Sequence, residues 1–411
     1  MFSRQLSANQ KADLDSQAIN NFRAYLQIPS VHPNVNYDAC IKFLENQAKS
    51  LNLPITIVSP VPQKPIVILT RVGTEPTLPT ILLNSHMDVV PVFEEKWAHK
   101  PFSADIDEHN NIYARGSQDM KCVGIQYLEA VRRLKKRGIT LKRTLHLSFV
   151  PDEEIGGFDG MKRFVRTKDF QDLNVGAALD EGMASPTDEF ALFYGERCVW
   201  HLKIHCSGRP GHGSLLLDNT AGEKATHILN KLFAFRNQEK QKLVDNPSWT
   251  LGDVTTVNLT QISGGVQANV VPPELLITFD CRIPPEHVNI ATWEETVNQW
   301  CKEAGVWVEY PVKQPQILPT KLDNSNIYWV AFKKSTDKLG LKLKPQIFPG
   351  ATDSRNIREI GIPVIGFSPI NNTPILLDDH DEYLGVETFL KGIEIYCGIL
   401  ISVGNVEERS G

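Results

Sequence analysis

The sequence predicts an α/β fold with a ferredoxin-like (α+β) domain inserted into it. Three observations carry that prediction. Strand-like and helix-like segments alternate over residues 1–193, the pattern of a largely parallel sheet with helices on its faces. Residues 194–312 run strand, helix, strand, strand, helix, strand, an order that closes on itself as a ferredoxin-like unit. The α/β alternation then resumes over residues 313–411.

Each element has its own signal. Residues 17–28 carry Ile19, Phe22, Tyr25 and Leu26 at helical spacing, and residues 37–51 carry Ile41, Leu44, Ala48 and Leu51. Strand-like runs follow at 56–59, 66–72 and 80–83. Residues 116–121 open a helix that reaches about Lys136, with Val123, Tyr127, Leu128 and Val131 on one face. The apolar run 144–150 reads as a buried strand, then a helix near 158–167 and the segment 175–182. In the insert, 199–206, 253–262, 275–282 and 306–312 are strands, and 221–243 and 293–304 are helices. The last part holds a helix at 325–339, a strand at 343–348, a helix at 353–360, a strand at 364–367 and a helix near 386–402.

Composition excludes several function classes. Apolar residues are 41% and charged residues 22% of the 411-residue chain, an ordinary globular balance. A net charge of -5 and a pI near 6.1 give no basic footprint, so neither nucleic acid nor a membrane is expected as a partner. The start, Met1 to Leu6, lacks the apolar core of a signal peptide, and no run reaches the roughly 18 apolar residues of a spanning helix. Seven cysteines without a C-x-x-C pair suit free thiols in a reducing, cytoplasmic setting.

The run 144–150 ends in Pro151, Asp152, Glu153, Glu154, Ile155, Gly156 and Gly157. Two adjacent carboxylates in a dry site oppose each other's ionisation. That cost disappears where one binds a cation and the other handles a proton. Side chains leaving a strand alternate in direction, so Glu153 and Glu154 need not share a role; the working hypothesis gives Glu154 to a metal and Glu153 to the base beside it. Taken alone, the segment reads more readily as a solvated acidic turn. Other strand ends add His86 and Asp88, Asp119, Asp180 and Glu181, and the segment 376–382 adds His380. Ligands of open α/β sheets sit beyond the carboxyl ends of the strands, so these groups can converge. Two imidazoles and three carboxylates suit a pair of divalent ions such as zinc.

Ser85-His86-x-Asp88-x-Val90-Pro91, the segment around Asp119, Glu153-Glu154-Ile155-Gly156-Gly157 and the late His380 resemble the dizinc exopeptidase and aminoacylase family. The match covers nearly the whole chain, and residues 113–122 and 366–369 are similar to its acylase branch. The resemblance implies a dizinc aminopeptidase-like catalytic domain, an inserted lid that also dimerises, a homodimer, and two Zn2+ per subunit. It implies that Asp119 bridges the ions, with His86 and Glu181 completing one site and Glu154 and His380 the other. Asp88 would accept from the ring N–H of His86 and fix its tautomer. Glu153 would take a proton from a zinc-bridging water and pass it to the leaving amine. The residues alone leave Asp180 and Glu181 open, and the family's habit of a carboxylate followed by a small residue selects Glu181. A cis Asp119–Met120 bond is also implied. Cys122 reads as a buried, inert thiol.

In the insert, the glycine-rich turn 208–214 holds His212. From the residues alone it is as readily an ordinary loop histidine, and Arg282 an ordinary surface arginine. The resemblance implies that His212, given by the partner subunit, stabilises the oxyanion of the tetrahedral intermediate. It implies that Asn269 and Arg282 grip the substrate's carboxylate, for which a planar guanidinium fork is suited. Arg355, in the turn 350–355, is a further anchor. His201 and His205 are four apart, but they lie in an alternating strand with Leu202 where a helical zinc motif needs glutamate, so they read as structural. No G-x-S-x-G signals a serine hydrolase. The implied reaction is hydrolysis of a small N-acyl-L-amino acid to a carboxylate and a free L-amino acid. The alternatives are a dipeptidase or carboxypeptidase of the same fold, and a catalytically inactive zinc-binding interaction protein.

Overall fold

The computed structural model describes residues 4–408. The signal-peptide reading begins at Met1, and residues 1–3 lie outside the described residues. The chain forms two compact units. One comprises Met1–Tyr194, Thr320–Pro345 and Thr352–Gly411, and the other Gly195–Pro319 with Gln346–Ala351.

The first unit is built on an eight-stranded sheet. Its strands lie in the order Ile55–Val61, Lys64–Arg71, Leu145–Val150, Thr80–His86, Val175–Asp180, Val364–Phe367, Glu189–Glu196, Lys342–Phe348. The middle four, from Leu145–Val150 to Val364–Phe367, pair in parallel. Lys64–Arg71 pairs antiparallel with both of its neighbours, and Val364–Phe367 antiparallel with Glu189–Glu196. The sheet is therefore mixed, parallel at its centre only. Ile55–Val61 and Lys64–Arg71 are joined through Pro62 and Gln63 alone, a connection open only to antiparallel strands. Thr80–His86 and Leu145–Val150 are buried at every position, as central strands covered on both faces must be.

Helix Lys121–Lys136 is buried from Lys121 to Leu134. It packs against the strand Thr80–His86 and against helices Ala8–Leu26 and Val386–Val403. Between those two helices Phe22 stacks on Phe389 at 4.4 Å. The first helix starts at Ala8, earlier than its apolar spacing predicts, because Ser7 and Gln10 form a capping box. The single helix expected near 158–167 is two short ones, Met161–Phe164 and Lys168–Asp172, with Thr167 capping the second. A small sheet of Tyr383–Gly385, Asn111–Tyr113 and Asp105–Ile106 ties the end of the 376–382 segment to the strand before Asp119.

The second unit has the strand order Thr256–Gly264, Glu274–Ile283, Cys198–Ser207, Trp307–Lys313, all antiparallel. In chain order these are strands two, three, one and four, the ferredoxin-like arrangement. Trp200, Leu202, Ile204 and Cys206 alternate into a core shared with helices Ala221–Asp245 and Ile290–Ala304. This unit runs on to Pro319, past residue 312. Gln314 and Gln316 still bond back to Val199 and Pro284, at 3.0 and 2.8 Å. All seven cysteines are free and buried. Among the described residues, no helix is long and apolar enough to cross a membrane.

Candidate metal centre

The strand Thr80–His86 delivers His86 to its carboxyl end with the ring buried. His86 Nε2 lies 3.0 Å from Asp119 Oδ1, 3.6 Å from Glu181 Oε2 and 3.9 Å from Glu153 Oε2. Three sets of ligand atoms each lie within 4.8 Å of one another: His86 with Asp119 and Glu181, His86 with Glu153 and Glu154, and Asp119 with Glu154 and Asp378. Asp119 belongs to the first and the third, so it stands between two adjacent clusters.

The turn that presents Asp119 has a left-handed Gly116 (φ +88°) and a cis Asp119–Met120 bond. It is held by Glu382, which is fully buried. Glu382 Oε1 accepts from the amides of Gln118 (2.6 Å) and Asp119 (3.2 Å). Its Oε2 accepts from the Gly116 amide (3.1 Å) and from Arg115 Nη1 (3.0 Å). Arg115 also donates to the carbonyls of Asp378 and Asp379, and Gln118 Nε2 to those of Pro374 and Tyr383. The Asp119 turn and the 374–383 loop are thus one hydrogen-bonded body. Neither Glu382 nor Arg115 is singled out by sequence. Glu382 is one of four acids in the stretch 378–382, with nothing to mark it.

Glu153 and Glu154 sit in a single 3-10 turn after a left-handed Asp152 (φ +61°). Tyr37 holds that residue twice, donating its hydroxyl to Asp152 Oδ1 at 2.6 Å and accepting the Asp152 amide at 3.0 Å. Asp88 meets this turn rather than the His86 ring. Its Oδ1 accepts the Glu153 amide at 3.2 Å and its Oδ2 the Glu154 amide at 3.0 Å. His86 Nδ1 is 2.9 Å from the backbone carbonyl of Asp88 and 3.6 Å from its carboxylate. The carboxylate expected to orient His86 is turned toward two backbone amides, and the carbonyl of the same residue takes that place.

Asp180 and Glu181 are separated by their partners. Both oxygens of Asp180 are engaged, by Asn84 Nδ2 at 3.1 Å and Ser354 Oγ at 2.7 Å. Glu181 faces His86. His380 does not join the clusters. Among the described residues, Asp378 lies with Asp119 and Glu154 where His380 was expected. The His380 ring instead meets Phe93 edge-on at 6.3 Å. Asp378 takes a left-handed backbone (φ +63°) that turns the loop just before His380. Arg355 lies in the first turn of helix Ser354–Glu359, beside the buried Asp353 and Ser354.

The donor set fits divalent cations. Glu154 Oε1, Glu181 Oε1 and His380 Nδ1 are buried with no hydrogen-bond partner, and each unsatisfied polar atom costs roughly 1–3 kcal/mol. Burial, and after it a neighbouring acid, pushes three carboxyls well above the usual carboxylate range. The neighbour is Glu181 for Glu153 and Asp119 for both Glu154 and Glu181. Carboxylates this crowded call for positive charge, and oxygen with imidazole nitrogen is the ligand chemistry of zinc-like ions.

In the second unit, Gly211–His212 pairs with Val270–Val271, placing His212 opposite Val270. The Gly213 amide donates to the Asn269 carbonyl at 2.8 Å, so His212 and Asn269 are neighbours. His212 is exposed, with Nδ1 2.8 Å from Ser214 Oγ. Arg282 turns its fork onto Asp280, at 2.7 and 3.0 Å. His201 and His205 pair with Asp280 and Glu274 on the face away from the core, and His205 stacks on Trp307 at 3.7 Å.

A family model described as Peptidase family M20/M25/M40 matches residues 82–402. Aminoacylase-1 of Homo sapiens is 48% identical over 393 residues, spanning 95% of this chain and 96% of its own. Aminoacylase-1 of Dictyostelium discoideum is 45% identical over 405 residues, 96% of this chain and 99% of its own. Among solved structures, aminopeptidase PepT from Bacillus cereus has a TM-score of 0.71 at 19% identity, covering 95% of this chain and 98% of its own. The Bacillus subtilis YXEP protein, described as a dinuclear metal binding peptidase, has a TM-score of 0.68 at 16% identity with the same coverage. These two structures speak for the fold.

Proposed function

The chain belongs to peptidase family M20/M25/M40, and from that premise we propose that it is a zinc-dependent aminoacylase. It hydrolyses N-acyl-L-amino acids to a carboxylate and a free L-amino acid. Similarity to aminoacylase-1 along almost the full length of both chains supports the substrate class. The observation that carries the chemistry is Glu153, whose carboxylate stands 3.9 Å from His86 at the edge of the His86, Asp119 and Glu181 cluster.

His86, Asp119 and Glu181 would hold one ion, and Asp119, Glu154 and His380 or Asp378 the other. Bound divalent ions would polarise the scissile carbonyl and make a bound water more acidic. The residues of the chain do the rest. Glu153 takes a proton from the attacking water as the C–O bond forms. It returns that proton to the nitrogen as the C–N bond breaks, so the amine leaves neutral. Asp88 holds the amides of Glu153 and Glu154 and so sets the base and the adjacent ligand together.

The remaining assignments rest on the family resemblance. His212 of a partner subunit serves the oxyanion, which requires a homodimer, and Asn269 with Arg282 binds the substrate's carboxylate. Arg282 would exchange Asp280 for that carboxylate, with Arg355 as a second anchor. We place the enzyme in the cytoplasm, in keeping with seven free, buried thiols.

The test is turnover of N-acetyl-L-methionine against an unblocked dipeptide, with zinc counted per chain. Preference for the acetylated amino acid is expected. Preference for the dipeptide would replace this reading with a dipeptidase.

A further inference from the structure

We propose that His32 is a positioning residue for the hydrolysis: through the carboxylate of Asp88 it fixes the turn that carries Glu153 and Glu154. The inference rests on Glu153 being the base.

The segment before the helix Asp38–Leu51 runs alongside the exit of the strand Thr80–His86. The Val89 amide donates to the Ser30 carbonyl at 2.8 Å, and the His32 amide donates to the Val89 carbonyl at 3.1 Å. Ser30 Oγ donates to the Met87 carbonyl at 2.6 Å, and Val31 bridges Val89 in parallel. The His32–Pro33 bond is cis. This strap brings the His32 ring against Asp88, with Nε2 2.8 Å from Oδ2. His32 is 8% exposed and Asp88 is fully buried.

The Asp88 carboxylate therefore accepts three hydrogen bonds: His32 and the Glu154 amide on Oδ2, and the Glu153 amide on Oδ1. A carboxylate offers about four lone-pair sites, so few orientations satisfy all three. The two amides are the last fixed points before the Glu153 and Glu154 side chains diverge. Of the three donors, only His32 comes from outside the turn itself, so it alone anchors the carboxylate against the strand exit.

Without that donor, Oδ2 keeps one bond, and His86 Nδ1, 3.6 Å from Oδ1, stands as a competing partner for the carboxylate. A carboxylate that swings toward His86 takes the Glu153 amide with it. Small displacements of a general base lower the chemical step while leaving substrate affinity in place.

A merely structural histidine would matter for stability and not for kcat. The experiment compares wild type, His32→Leu, which fills the space without a donor, and His32→Gln, whose amide can donate over a similar reach. Turnover of N-acetyl-L-methionine, KM, bound zinc and Tm are measured for each. For His32→Leu we expect kcat to fall roughly 10- to 100-fold, with KM unchanged and zinc per chain unchanged when zinc is supplied in excess. His32→Gln should recover most of the loss. Should His32→Leu fail to fold, His32→Asn, whose amide is too short to reach Asp88, takes its place with the same expectation. Equal kcat in wild type and the donor-free variant overturns the role of His32, as does a lowered kcat that His32→Gln does not recover. A wild type that cleaves only an unblocked dipeptide overturns the substrate reading alone, and the same comparison is then made on that dipeptide. A wild type that cleaves neither overturns both.

Discussion

Glu382 Oε1 accepts the amide of Gln118 at 2.6 Å, fastening the loop of His380 to the turn of Asp119. The same carboxylate also takes the amides of Gly116 and Asp119 and one arm of Arg115. Burial pushes its pKa up to about 7, with Arg115 opposing. Glu382→Gln keeps the shape but sets an NH2 group against donors. We expect zinc affinity to fall roughly 10- to 100-fold, the usual consequence of disturbing groups that orient metal ligands. Zinc retained against a graded series of chelator concentrations measures it. Wild-type retention would show that the two loops hold their positions unaided.

Replacing Glu153 with glutamine removes the proton carrier and leaves the volume unchanged. Turnover should drop by roughly 10²- to 10⁴-fold, the range for general acid–base catalysis, while zinc per chain stays at the wild-type value. Unchanged turnover would reject Glu153 as the base and leave a site that binds metal without using this carboxylate.

What sequence made legible follows from how each residue reaches the site. His86, Asp119, Glu153, Glu154 and Glu181 stand at or just after strand and turn ends, where apolar runs announce the strand and the next polar residue is conspicuous. Five such positions converge in the clusters described above. Of the eight strands of the sheet, Glu189–Glu196 is the one without a signal of its own, because it straddles the point where the pattern changes. Glu382, Asp378 and His32 were opaque for a different reason. Their roles depend on contacts with residues far away in sequence, such as the 56-residue separation between His32 and Asp88. An acidic loop offers no periodicity by which one carboxylate can be told from the next.

Metal counting also decides between His380 and Asp378. The resemblance implies His380 as the second-site ligand, and its Nδ1 is buried without a hydrogen-bond partner. The geometry gathers Asp378 with Asp119 and Glu154. We expect His380→Ala to fall from two zinc ions per chain toward one, and Asp378→Ala to keep two. The reverse result would make Asp378 the ligand.

His146 links stability to pH away from the metal ligands. It lies in the buried strand Leu145–Val150, 8% exposed, with Nδ1 2.9 Å from Thr70 Oγ1. Burial lowers its pKa to about 4, against roughly 6.5 in an unfolded chain. Between those values the unfolded chain binds a proton that the folded chain refuses. Its contribution is therefore complete above pH 6.5 and is lost as pH falls toward 4. At pH 5 the loss amounts to about 2 kcal/mol for a shift of this size. His146→Gln removes the titration. Urea unfolding at pH 7.5 and pH 5 should show a smaller acid-induced loss in the variant than in wild type, by about that amount. Acid release of metal acts on both proteins and cancels in the difference. Equal losses would mean that the folded chain binds this proton as readily as the unfolded one.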